Sequence, residues 1–90
     1  MKQIDAMRET LALARAHPWP LTTEDQAKGA SVAHLESMLE RVLADQELKK
    51  PKMSNAKIGR WLGWMQAVVA LRVPDLMLED MKKINERNKG

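Results

Sequence analysis

The sequence predicts an all-α fold, a compact bundle of three to four helices in a single domain over residues 1–90. Apolar residues recur every three or four positions in the long segments, and no segment shows the alternation of apolar and polar residues typical of strands. The segment Ser54–Leu71 is apolar around most of its circumference, which is typical of a helix with neighbours on several sides. We therefore expect this helix to be central in the bundle.

The composition narrows the class of protein. Hydrophobic residues make up 44% of the chain and charged residues 30%, a balance typical of a folded protein rather than a disordered one. Cysteine is absent, which excludes disulfides, thiol nucleophiles and cysteine-bound zinc. Acidic residues occur early, at Asp5 and Glu9, and no apolar run approaches the roughly 20 residues of a membrane span. We expect a cytoplasmic protein that does not enter the membrane.

The first predicted helix runs from Ile4 to Ala16 and ends because the residue before Pro18 avoids the helical conformation. Trp19 follows between Pro18 and Pro20, which stiffen the backbone around it. Its indole either covers one end of the core or offers an exposed aromatic contact to a partner.

A second helix is predicted from Thr23 to about Gln46. Thr23 and Gln26 have the spacing of a capping box. Gly29 weakens the first turns and leaves open a break in the helix there. We interpret the carboxylates on its outer side as a solvated face rather than a catalytic pair: Glu36, Glu40, Asp45 and Glu47.

After a loop over Leu48–Met53, Ser54 is predicted to cap the third helix, which has three different sides. The core side carries Ile58, Trp61, Leu62, Met65, Val69 and Arg72. A second side carries small residues, and because glycine costs about 1 kcal/mol in a helix, we expect another helix to cross close to Gly63. The third side carries Lys57, Arg60, Trp64, Val68 and Leu71. Trp64 is core if the other helices enclose this side, and an interface residue if they do not.

A short fourth helix is predicted from Asp75 to about Arg87. Pro74 suits its first turn because proline needs no helical amide partner there. Its apolar residues are Leu76, Leu78, Met81 and Ile84.

Charge is distributed unevenly along the chain. Residues 24–48 carry six acidic and two basic residues, whereas residues 49–74 carry six basic residues and no acidic one. A basic loop followed by a capped helix is one way to place cations and amides against phosphates. The alternative function is therefore a small nucleic-acid-binding module that uses Lys49, Lys50, Lys52, Lys57 and Arg60.

No pattern in the sequence indicates catalysis or metal binding. The positions one helical turn from His34 are Ala30, Ser31, Ser37 and Met38, none of which is a usual zinc ligand. No glycine-rich phosphate loop and no pair of nucleophile and base is present. We expect no catalytic residue, no metal and no cofactor, and hence a protein that is not an enzyme.

Two segments carry a resemblance to a known group of proteins. These are the basic loop with Arg60-Trp61-Leu62-Gly63-Trp64-Met65-Gln66, and the turn His17-Pro18-Trp19-Pro20 before Ala33-His34-Leu35-Glu36. In these segments, about half of the chain, the sequence resembles small uncharacterised helical proteins encoded by phages and prophages of enteric and related bacteria. The resemblance implies a phage accessory context and supplies no activity.

The main prediction is a non-enzymatic interaction protein. Arginine and tryptophan are favoured at the centres of protein interfaces. We therefore expect Arg60 and Trp64, with Trp19 as a third residue, to bind a protein partner. Given the resemblance, that partner is a host or phage protein, which the chain would modulate, and a homodimer is a further expectation.

Overall fold

The computed structural model describes residues 2–20, 22–73, 76 and 78–89. Within these ranges the chain forms five helices and no strand. They are α1 (Lys2–Ala16), α2 (Thr23–Lys28), α3 (Val32–Gln46), α4 (Asn55–Arg72) and α5 (Leu78–Arg87). The all-α prediction is confirmed. None of these helices is both long enough and apolar enough to cross a bilayer.

Helices α1 and α4 occupy the middle of the bundle. Helix α4 packs against α1, α3 and α5, as its apolar sequence predicts, and α1 packs against α3, α4 and α5. The core between them contains completely buried side chains from three helices, among them Met7, Leu35, Val42, Ile58, Met65 and Val69. Met81 and Ile84 of α5 are also buried, and Leu76 packs against the core. Pro74, Asp75 and the side chain of Leu78 lie outside the described residues.

The predicted helix from Thr23 to Gln46 is two helices, because the chain turns at Gly29. This residue has a φ of 70°, a left-handed conformation that glycine adopts without steric cost. Thr22, rather than Thr23, caps α2, since its hydroxyl accepts a hydrogen bond from the Asp25 amide at 3.0 Å. Ser31 caps α3 in the same way, by accepting from the His34 amide at 3.1 Å.

The predicted close crossing at Gly63 is wrong, and the approach occurs one turn earlier. A Cβ atom at Gly59 would lie 2.9 Å from Nε2 of Gln3 in α1. A Cβ at Gly63 would meet nothing within 4 Å. Gly63 lies on the exposed side of α4, where no other helix of the described chain packs against it.

A polar network joins α1, α4 and α5 inside the bundle. The Gln66 amide donates to Oδ1 of Asn85 at 2.9 Å, and the Asn85 amide donates back to Oε1 of Gln66 at 3.2 Å. Gln66 also donates to the hydroxyl of Thr10 at 3.4 Å. That hydroxyl in turn donates to the Ala6 carbonyl at 2.8 Å. Gln66 and Thr10 are buried, so these bonds replace the water that the two side chains lose on folding.

Two glycine-to-alanine variants are expected to change stability in opposite directions. Gly29→Ala places a Cβ 3.0 Å from Nε2 of His34 in a left-handed backbone, and should lower the free energy of unfolding by about 1–2 kcal/mol. Gly63→Ala adds helix propensity in open space and should raise it by up to about 1 kcal/mol. Urea unfolding followed by circular dichroism measures both. A stabilised Gly29→Ala or a destabilised Gly63→Ala would contradict the described geometry.

Candidate protein-interaction surface

Helix α4 leaves one side uncovered in the described structure. Five residues on that side are exposed, and we call them the Trp64 face: Arg60, Gly63, Trp64, Ala67 and Leu71. The side chain of Trp64 is 44% exposed and that of Leu71 is 85% exposed. Among the described residues, Leu48 is the only other large hydrophobic side chain that is exposed. Of these three exposed hydrophobic side chains, Trp64 and Leu71 therefore lie within two turns of each other on one helix.

The rotation of α4 explains why these residues face outward. Residues on a helix are about 100° apart, so Trp64 and the buried Gln66 point in nearly opposite directions. The core stripe of Ile58, Leu62, Met65 and Val69 is buried as predicted. Val68, predicted on the same side as Trp64, is buried as well. On the side of α4 that carries Trp64, the side chain of Trp64 is thus exposed, whereas Val68, at the edge of that side, is buried against the core.

A cleft of about 240 Å³ lies beside Trp64. Its apolar lining comes from Ala67, Val68 and Leu71 of α4 and from Ala30 in the turn between α2 and α3. Lys28 and Arg72 also border it. The cleft is therefore formed where α2 and the following turn lie against the last turns of α4.

Two interactions hold α2 and the following turn in this position. Arg72 forms an ion pair with Asp25, whose side chain is only 1% exposed. The indole N–H of Trp19 donates to the Ala30 carbonyl at 3.0 Å. A buried carboxylate is costly without a partner, and Oδ2 of Asp25 has no hydrogen bond, so the Arg72 guanidinium is essential to this arrangement.

Charge on the α2 side of the cleft is already balanced. Lys28 donates to Glu24 at 2.7 Å, in addition to the pair of Arg72 with Asp25. The hydrogen bond from Lys28, then the Lys28 charge and more weakly the Arg72 charge, lower the pKa of Glu24 despite partial desolvation. This end of the cleft therefore offers little net charge to a ligand.

Trp19 is not part of the Trp64 face and does not line the cleft. Its ring is partly buried against the core, and its N–H is used by Ala30 at the edge of the cleft. This position matches the first of the two sequence interpretations, in which Trp19 covers one end of the core. A direct contact between Trp19 and a partner stays a prediction.

The basic residues lie at the other end of α4 and in the loop before it. Lys49, Lys50, Lys52, Lys57 and Arg60 are all exposed. None of the five forms a salt bridge within the part of the chain that the structure describes. Lys57 does lie over the ring of Trp61, with Nζ 5.7 Å from its centroid. Ser54 caps α4 as predicted, by accepting from the Lys57 amide at 3.1 Å.

Asp45 lies partly exposed on the outer side of α3 and also organises this loop, a role that its sequence position did not predict. Its carboxylate accepts hydrogen bonds from the amides of Lys52 at 2.9 Å and Met53 at 3.1 Å. Partial burial by itself would raise the pKa of Asp45, but these two hydrogen bonds, helped by Gln46 and the Lys52 charge, lower it below its ordinary value. Glu36 pairs with Arg15 at 3.5 Å, whereas Glu40 and Glu47 are exposed as predicted.

Among the described residues, no group of three histidine, aspartate or glutamate side chains could hold a metal ion. His34 is exposed, and its ring lies against Gly29. A larger cleft of about 410 Å³ lies between α1 and α5, and its charged residues include Glu9 and Arg87, which bond to each other at 3.1 Å.

Comparison with known proteins supplies no further assignment. Neither a protein-family model, nor a curated protein, nor a solved structure matches the chain. The resemblance to phage- and prophage-encoded proteins therefore stays a prediction.

Sequence reasoning placed Arg60 and Trp64 on one side of α4, and the structure brings them together there with Leu71. It missed Ala30 and Arg72, which line the cleft, and Asp25, whose pair with Arg72 holds α2 beside α4. The position of Arg72 was the one sequence signal for this contact. Arg72 ends the otherwise apolar core side of α4, and a cation there needs an anionic partner.

Proposed function

We propose that the chain is a non-enzymatic helical interaction protein that binds a protein partner through the Trp64 face. The observation that carries the proposal is the exposure of Trp64 and Leu71, two turns apart on one side of α4, where both line the same largely apolar cleft. Exposed apolar residues scattered singly are ordinary, but a contiguous apolar site with an adjoining cleft is typical of a binding surface. The proposal extends to a cytoplasmic setting and to a host or phage protein as the partner that it modulates.

The energetics favour a partner that buries both side chains. Covering a side chain such as Leu71 contributes about 1.5–3 kcal/mol relative to leaving it in water. Tryptophan and arginine are the residues most often found to dominate binding energy when an interface centre is dehydrated. Arg60 lies one turn before Trp64 on the same face, so one partner surface can contact both.

Trp64→Ala is expected to abolish partner binding and leave the fold intact. The matched control is Leu48→Ala, which removes an exposed hydrophobic side chain outside the Trp64 face. Pull-down with the wild-type protein and both variants, followed by mass spectrometry, compares the proteins recovered from the source cell. We expect at least a tenfold loss of a recovered partner with Trp64→Ala and little change with Leu48→Ala.

Circular dichroism and light scattering complete the experiment. Helicity and unfolding temperature of Trp64→Ala should stay close to those of the wild type, because the residue is not part of the core. A homodimer that Trp64→Ala dissolves would identify a second copy as the partner. Equal recovery of all proteins by Trp64→Ala, or loss of its fold, would overturn the proposal.

A second candidate function is a nucleic-acid-binding module. The observation that favours it is the exposure of Lys49, Lys50, Lys52, Lys57 and Arg60 without a salt bridge among the described residues. If they contact phosphates, affinity for a duplex or single strand should fall steeply with salt. The logarithm of the binding constant should decrease with the logarithm of the salt concentration, with a slope of about 0.7–0.9 per phosphate neutralised. Fluorescence anisotropy from low to physiological salt measures this slope. Absence of binding at low salt would eliminate this function.

A further inference from the structure

The exposed side of α4 has two chemically different halves. Lys57, Arg60, Trp64 and Leu71 lie within about 60° of each other around the helix, so they share one side. The first two are basic, whereas the last two are hydrophobic and adjoin the cleft. A partner that follows this side therefore meets cations at one end and an apolar site at the other.

Uncompensated positive charge is confined to the first half. No acidic residue occurs in residues 49–73, and the carboxylates that approach the far end of α4, Glu24 and Asp25, are bonded to Lys28 and Arg72. Asp45 lies near the loop, but its oxygens accept the backbone amides of Lys52 and Met53. Electrostatic complementarity thus favours a partner whose carboxylates lie beside Lys57 and Arg60.

The dimensions of this side fit one helix rather than a broad interface. From Lys57 to Leu71 the rise is about 21 Å, and a helix with its side chains is about 10 Å wide. This strip is far smaller than the roughly 800 Å² that each partner contributes to a standard protein interface. Gly63 has open space above it and Ala67 is small, so a second helix can approach the backbone of α4 closely.

A second copy of the chain fits this side poorly. Parallel pairing of two α4 helices brings the Lys57 and Arg60 side chains of both copies together, where like charges repel. Antiparallel pairing places them beside Leu71 and Arg72 of the other copy, where the nearby Asp25 carboxylate is already paired with Arg72. Asymmetric pairing requires another apolar surface on the folded chain. In the described ranges, that surface is the cleft between α1 and α5, which Leu13, Leu76 and Ile84 line, but its Glu9 already pairs with Arg87 and is not available to Lys57 and Arg60.

We infer that the partner element, if the proposed function is correct, is an acidic amphipathic helix of about four turns. Its apolar residues, spaced three or four apart, cover Trp64 and Leu71 and enter the cleft between α2 and α4. Its carboxylates cluster at one end and pair with Lys57 and Arg60. This is recognition of a helix in a groove, with charge selecting the direction in which the helix lies.

A displayed library of 16-residue peptides tests this inference. In each peptide, the positions three or four residues apart that form the apolar side vary among leucine, isoleucine, methionine and phenylalanine. Four further positions, all in the turns at one end of the peptide, encode glutamate, glutamine or lysine with equal frequency. Selection on the full chain should enrich glutamate at those four positions. The enriched peptide should bind at least tenfold more tightly than the same peptide with glutamine there, as measured by calorimetry.

Variants of the protein identify the residues responsible. Trp64→Ala should abolish binding of the enriched peptide. The double variant Lys57→Gln, Arg60→Gln should reduce its affinity to that of the glutamine peptide, whereas Lys82→Gln, Lys83→Gln on α5 should change it less than twofold. The affinity of the protein for the enriched peptide should also fall as the salt concentration is raised.

The possible failures are distinguishable. Trp64-dependent binding without selection for glutamate overturns the acidic partner and leaves the proposed function standing. No enrichment of any peptide, or a Trp64-dependent dimer that no peptide displaces, likewise overturns this inference alone. Peptide binding that Trp64→Ala does not affect overturns both the inference and the proposed binding face. Selection for lysine, or salt-dependent binding of nucleic acid through Lys57 and Arg60 instead, also overturns the acidic helix.

Discussion

The hydrogen bonds of Gln66 determine which side of α4 faces the core. Helix α4 is apolar around most of its circumference, so burial of hydrophobic area alone distinguishes its sides weakly. Gln66 bonds to Asn85 of α5 and to Thr10 of α1, two helices that lie on the inner side of α4. Gln66 is buried, and a small rotation of α4 would leave its amide inside the bundle without these partners, at about 1–3 kcal/mol. The network therefore holds Gln66 inward, and Trp64, about 160° away, points outward.

The cleft beside Trp64 depends on a second polar contact, at the end of the same helix. The pair of Arg72 with Asp25 joins the last turn of α4 to α2, and the bond from Trp19 to Ala30 holds the turn that follows. Both contacts lie at the edge of the core rather than in it. The last turn of α4 is thus joined to α2, while its basic first turn follows a loop that Asp45 holds through two backbone amides. This asymmetry separates the apolar from the basic half of the exposed side.

Much of the fold follows from local patterns. The end of α1 at Ala16, the buried residues Ile58, Leu62, Met65 and Val69 of α4 and the serine cap of α4 are encoded within a few residues, and prediction was correct for them. The positions that prediction missed depend on residues far apart in the chain. The choice between Gly59 and Gly63 as the point of close approach depends on the rotation set by Gln66, whose partners are 19 and 56 positions away. Thr22 and Thr23 carry the same type of side chain, and only the path of the backbone determines that Thr22 is the residue that caps α2.

The candidate site was predictable in part for the same reason. Arg60, Trp64 and Leu71 share one side of a helix, so their spacing placed them together. Their exposure depends on where the other helices pack, and the wall opposite them depends on Asp25, 47 positions before Arg72. A charge at the end of a core stripe indicates that a buried partner is needed without showing which of several carboxylates supplies it.

The most direct test of the outward orientation of Trp64 uses two single-tryptophan proteins. Both carry Trp19→Phe. One keeps Trp64 with Trp61 replaced, and the other keeps Trp61, which packs against the core, with Trp64 replaced. Acrylamide quenching of indole fluorescence compares their exposure over a range of protein concentrations. We expect the Trp64 protein to emit at longer wavelength and to be quenched more strongly at every concentration. Protection of Trp64 equal to that of Trp61 in a folded monomer would contradict the account.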